Sequence, residues 1–156
     1  MNATERRTLQ FSCLDQAQAD VQTLAEAEQR GKLRCMGNWT FGQTLGHLAN
    51  WVDYSYDGIP MKIPFFVRWI MRPMKKRILT KPMKPGAKIP RAPGGTLGIE
   101  LVSSVDGVAH FQKAFTRLAK SPPAMPHALF GPMTHEEWIA QHLRHSELHL
   151  SFLRVE

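Results

Sequence analysis

Trp138-Ile-Ala-Gln-His142-Leu-Arg-His145-Ser-Glu-Leu-His149-Leu-Ser-Phe152 is the stretch whose spacing decides how this chain folds and what it can bind. Residues 138, 142, 145, 149 and 152 are separated by four, three, four and three positions. In an α-helix such residues share one stripe. Trp138 and Phe152 predict that the stripe faces inward, where a core seam normally carries Leu, Ile or Val. Here the three middle positions are histidines. Imidazoles on an inward face are either uncharged core residues with hydrogen-bond partners or ligands of a metal ion.

Helix geometry limits the second alternative. His145 and His149 are one turn apart on the same face and can reach one ion. His142 and His149 are separated by a rise of about 10.5 Å, so one ion can hardly take all three. A third ligand has to come from a neighbouring helix.

The rest of the chain supplies that neighbour. Residues 4–30 read as a first helix, with Leu14, Ala17, Val21 and Leu24 on its apolar stripe and Gly31 as its stop. After a connector, Thr40-Phe-Gly-Gln43 forms a capping box, in which the Thr hydroxyl and the Gln side chain satisfy free N–H groups at a helix start. A second helix should run from there to about Tyr56. Its stripe holds Thr44, His47, Trp51 and Tyr54, flanked by Phe41, Leu45, Leu48 and Val52. Taken alone, His47 reads as a core or interhelix histidine. Beside the last helix it is the obvious third ligand for His145 and His149. His142, with Trp51 and Tyr54, would then stand beside the ligands or face a substrate. Asp53 and Glu147 are possible acceptors for ligand N–H groups, but each reads more simply as a solvated helix residue.

Residues 57–99 differ in character. Seven of the eleven prolines fall there, and between Lys62 and Arg91 there are ten Lys/Arg and no Asp or Glu. Phe65–Leu79 reads as one or two short helices, with Pro73 ending the first. Lys81–Gly98 reads as an extended Pro-rich loop, of the kind often used as a cover or an insertion. The basic arm, with Lys75, Lys76 and Arg77 at its centre, has three readings. It is a membrane-surface helix, a nucleic-acid contact, or a solvated arm whose aromatics pack on the helices. The aromatics are too irregularly placed for nucleic acid to be the expected partner. A third helix over about 104–119, capped by Ser103 or Ser104, carries Val108, Phe111, Phe115 and Leu118, with His110 off the stripe. His127 lies in the connector that follows. Thr134-His-Glu-Glu137 is a second capping box and opens the histidine helix.

Four long helical segments with no convincing strand predict an all-α, single-domain four-helix bundle over 1–156, with one long connection between helices 2 and 3. No apolar run reaches the ~18 residues of a spanning helix. The start of the chain lacks a signal peptide's apolar core, and the two cysteines, Cys13 and Cys35, read as free thiols in a reducing compartment. The expected location is therefore the cytoplasm. A net charge of +7, carried mostly by the arm, can attract nucleic acid, anionic lipid or acidic small molecules.

Two blocks, Trp39-Thr40 with His47-Leu48-Ala49, and His127 to Trp138 followed by His142, His145 and His149, resemble the DinB-like superfamily of metal-binding four-helix bundles. The likeness is closest to one of its domain-of-unknown-function branches. The resemblance implies a metal triad at His47, His145 and His149, binding a divalent ion such as Zn, Ni or Fe. It also implies a homodimer, and a metal-dependent transferase or hydrolase acting on a small molecule, with a low-molecular-weight thiol as the analogous substrate. Leu148 before His149, and Ser151-Phe152 after it, depart from the pattern of that branch and leave the substrate side open. The alternative is a non-catalytic, stress-associated binding or oligomerisation module. Its arm would then carry the function, on a membrane surface or an acidic partner.

Overall fold

Helix positions follow the cap signals closely. The computed structural model describes residues 6–61, 63–89, 92 and 95–156. Lys62, Arg91 and Gly94, and the expected helical start at residues 4 and 5, lie outside the described residues. Helix α1 spans Leu14–Gln29 and α2 spans Phe41–Asp57. Two short helices follow, α3 (Phe65–Met71) and α4 (Lys75–Thr80), joined by a single 3-10 turn at Arg72–Met74 that contains Pro73. Helix α5 spans Ser104–Lys120 and α6 spans His135–Leu150. Both capping boxes are formed: Thr40 with Gln43, and Thr134 with Glu137. Ser103 caps α5 through the Asp106 N–H.

The fold is mostly helical, with a small two-stranded sheet that corrects the all-α expectation. Leu33–Cys35 (β1) and Leu153–Val155 (β2) pair antiparallel, with Leu33 opposite Val155 and Cys35 opposite Leu153. Three residues are too few to show a period of two. A second correction concerns α1. Residues 6–13 are not helical; they cross α6 instead, where Arg7 N–H donates to Ser151 O at 3.0 Å and Phe11 N–H to the Glu147 carboxylate at 2.6 Å. Glu147 is thus buried and holds a backbone N–H, rather than sitting in solvent.

All four long helices contribute to one core. Ala17, Val21 and Leu24 meet Leu45, Leu48, Phe111, Phe115 and Leu118, with Trp138, Leu143 and Leu150 from α6. The buried residues of α6 are Trp138, Gln141, His142, Leu143, Ser146, Glu147 and Leu150, while His145 and His149 are half-buried. The stripe is therefore in the core at Trp138 and His142 and reaches its edge at His145 and His149.

Two glycines let α2 and α5 touch backbone to backbone. A Cβ at Gly42 would lie 2.2 Å from Val102 O, and one at Gly107 would lie 2.8 Å from Gly42 O. Neither contact can yield, because both obstacles are main chain. We expect Gly42→Ala to lower the unfolding free energy by about 3 kcal/mol or to prevent folding. Gly86→Ala, with nothing near its Cβ and a φ of +87°, should cost only about 1 kcal/mol. Urea denaturation of the two variants measures both; equal, small effects would contradict the close approach.

Candidate metal centre

Helices α2 and α6 bring three imidazoles together. His47 is 1% exposed on α2. Its Nδ1 lies 2.8 Å from Leu97 O, in the chain segment that runs flush along α2. A carbonyl only accepts, so Nδ1 carries the proton and Nε2 presents its lone pair. That Nε2 lies 3.2 Å from the Nε2 of His145. The ligand nitrogens of His47, His145 and His149 all lie within 4.8 Å of one another. Their rings meet edge to face, with centroids 4.6 to 5.0 Å apart.

The donor set fits a divalent ion. Two imidazole nitrogens on one tetrahedral zinc lie about 3.3 Å apart, close to the His47–His145 separation. The Nδ1–H bond to Leu97 is the outer hydrogen bond expected of a metal-binding histidine. His145 Nδ1, by contrast, is buried without a partner. Burial also keeps the three rings neutral, as ligands must be. It pushes His47 down to about 4 and His149 to about 3. His145 is held well below the ordinary value, by burial first and then by the neighbouring His149, His47 and His142.

A family profile described as "Protein of unknown function (DUF1569)" matches residues 3–156. The chain belongs to this family. No curated protein and no solved structure matches the chain. The profile covers both capping boxes and all three histidines, so the paired α2 and α6 motifs fall within one family unit.

Other expected site residues fall in different places. His142 stands apart from the triad, buried, with Nε2 3.0 Å from Ser55 Oγ and its ring stacked near Trp138. Trp51 borders the triad, its ring 5.7 Å from His145 and 6.1 Å from His47. Tyr54 packs on Trp51, one step farther out. Asp53 faces α5, where it binds His110 at 2.7 Å and Arg117 at 3.3 Å, and so gives the triad no acceptor. Lys75 is paired with Glu137 at 2.6 Å and donates to Pro132 O, whereas Lys76 and Arg77 are exposed. Lys75 therefore anchors the arm to α6 rather than serving as a free cation.

Sequence reasoning missed several contributors. Trp39 stacks on His149 at 5.1 Å with an interplanar angle of 8° and packs 4.8 Å from His47. Its place in the Trp-Thr motif was the available signal. Leu97 had none, since it acts through its carbonyl. His127 organises its own loop: its Nδ1 accepts from the Leu129 and Phe130 N–H groups, which leaves the proton on Nε2.

The buried histidines make stability depend on pH. His47 and His127 titrate at about 4, and His142 and His149 at about 3, in the folded protein. In the unfolded chain the ordinary value is about 6.5. Between these values the unfolded state binds more protons, so stability is full above about 6.5 and is lost as pH falls toward about 4. Each such histidine contributes up to about 1.4 kcal/mol per pH unit in that window. Urea midpoints measured in chelator should therefore fall steeply from pH 7 to pH 5; a flat profile would show the rings to be solvated.

Proposed function

We propose that this chain is a DinB-like four-helix bundle, formed by α1, α2, α5 and α6, whose His47, His145 and His149 hold a divalent metal for small-molecule chemistry. The observation behind this reading is the convergence of three neutral imidazoles from two helices, with the outward nitrogen of His47 already committed to Leu97. A divalent ion at such a site supplies Lewis acidity, lowering the pKa of a water or thiol at neutral pH. Three protein ligands are the number found where catalytic zinc keeps a position open. The residues of the chain set the conditions around it. Trp39 and Trp51 pack against the rings and limit water. Glu100 accepts from the Asn50 amide at 3.4 Å and lies close enough to act electrostatically on both His47 and Tyr54. This is the chemistry of a metal-dependent transferase or hydrolase, with a low-molecular-weight thiol as the substrate suggested by the family resemblance.

Metal content decides the reading. Protein purified without a histidine tag and offered Zn, Ni and Fe in turn should hold about one ion per chain for at least one of them. His145→Ala should lose it while keeping the helical circular dichroism signal. Wild-type protein that stays metal-free under all three offers would defeat the proposal.

A second reading rests on α3. Phe65 and Trp69 are 84% and 78% exposed, beside Arg68, Arg72, Lys76 and Arg77. No described helix is long and apolar enough to cross a membrane. Exposed aromatics among cations instead suit an anionic bilayer surface. Sedimentation with phosphatidylglycerol vesicles should retain the protein. Replacing Lys76 and Arg77 by Gln should weaken retention by about 1 kcal/mol per charge. Equal retention on phosphatidylcholine vesicles would remove the electrostatic part of this reading.

A further inference from the structure

Behind Trp51 lies a cavity of about 910 Å³. It is bounded by α2 on one side, by α6 and the 125–129 loop on another, and by α3 with residues 87–89 as its cover. Its size falls within the range of small-molecule sites. Ile59, Ile63, Phe66, Val67, Met71 and Leu129 make its walls largely apolar. Trp51 is the partition between this space and the triad, since it lines the cavity and also packs against His145.

The charges around the cavity are arranged unequally. Among the described lining residues there is no Asp or Glu, and the charged ones are Arg68 and Lys88. Both are exposed, Arg68 on α3 and Lys88 in the 87–89 cover, so the charged part of the lining is on the side that meets solvent, the mouth. The inner end carries His127 and His142, which burial keeps uncharged. His127 carries its proton on Nε2, since Nδ1 accepts two backbone N–H groups, and no acidic residue is among the described lining residues. Lys75 acts electrostatically on His127, but it is paired with Glu137 and is not among the lining residues, so an anion placed deep inside would lack a free compensating charge, which is costly. At the mouth the same anion meets two cations. An amine would meet like charge there and no carboxylate within.

We propose that this cavity binds an amphipathic anion, an apolar chain or ring system bearing a carboxylate, with its body inside and its acid group between Arg68 and Lys88. The body then reaches Trp51 and lies next to the metal triad. The site is defined by its own walls, so binding does not require the metal; if the ligand is also the substrate, that part alone rests on the metal reading.

Decanoate, decanol and decylamine, each below its micelle concentration, test this on the full chain by calorimetry, as purified and again after chelation. Decanoate should bind at least about tenfold more tightly than decylamine in both preparations. The double variant Arg68→Glu, Lys88→Glu should reverse that order, and Ala128→Trp, which adds bulk at a half-buried lining position, should abolish binding of all three. Equal affinity for the three probes, no binding of decanoate, or unchanged binding in Ala128→Trp would overturn the proposal. Retention of the protein on phosphatidylglycerol vesicles that is lost in Arg68→Glu, Lys88→Glu, with no calorimetric binding of decanoate, would assign the mouth cations to a bilayer and overturn the free-acid ligand. Decanoate binding to metal-free protein would stand even if the metal reading failed.

Discussion

Helix α2 is held by two sets of main-chain contacts, and the candidate site depends on them. On one side, Gly42 and Gly107 let α2 and α5 approach until backbone meets backbone. On an adjoining face, residues 97–99 lie along α2, where Leu97 O accepts from the His47 Nδ1–H and Ile99 O from the Gln43 amide. A helix that could roll by even a small angle would carry His47 Nε2 away from His145. The glycines remove the freedom to roll, and the carbonyl removes the freedom of the ring to flip. Both constraints are main-chain contacts, so they are stiff.

Helix α6 is fixed by a different kind of contact. Its buried Glu147 holds the Phe11 N–H and pairs with Arg144, which donates in turn to Phe11 O. Arg7 reaches Leu150 O while its guanidinium grips Asp20 of α1 with two hydrogen bonds. The non-helical residues 6–13 therefore act as a strap across α6. Buried polar groups of this kind add little net stability over apolar packing, but they permit few alternative arrangements. One of those arrangements puts His145 and His149 at the edge of the core, where the rings are dry enough to stay neutral and open enough to be reached.

The arm between α2 and α5 presents two surfaces. Phe66, Val67 and Met71 line the cavity, while Phe65, Trp69 and Ile70 face outward. Its attachment is polar: Lys75 binds Glu137, the residue that also completes the capping box of α6. The start of the histidine helix and the cover of the neighbouring cavity thus share one carboxylate. Cations on the arm then divide by burial into an anchor, Lys75, and solvated charges such as Lys76 and Arg77. Composition treats them alike, because the distinction arises only from what each side chain meets.

The sequence by itself determined the local grammar. Thr40-x-x-Gln43 and Thr134-x-x-Glu137 set two helix starts, the apolar stripes set the inward faces of α1, α2 and α5, and the 138-142-145-149 spacing put His145 and His149 one turn apart. These are short-range properties, decided by helical period and by hydrogen bonds over three residues. Only the tertiary structure decided the rest: the β1–β2 pair, whose strands are too short to show a period; the neighbours of Asp53 and Glu147; Trp39 on His149; Leu97 O on His47; and the cavity behind Trp51. Each joins residues tens of positions apart or works through the main chain, and neither leaves a mark in the order of side chains.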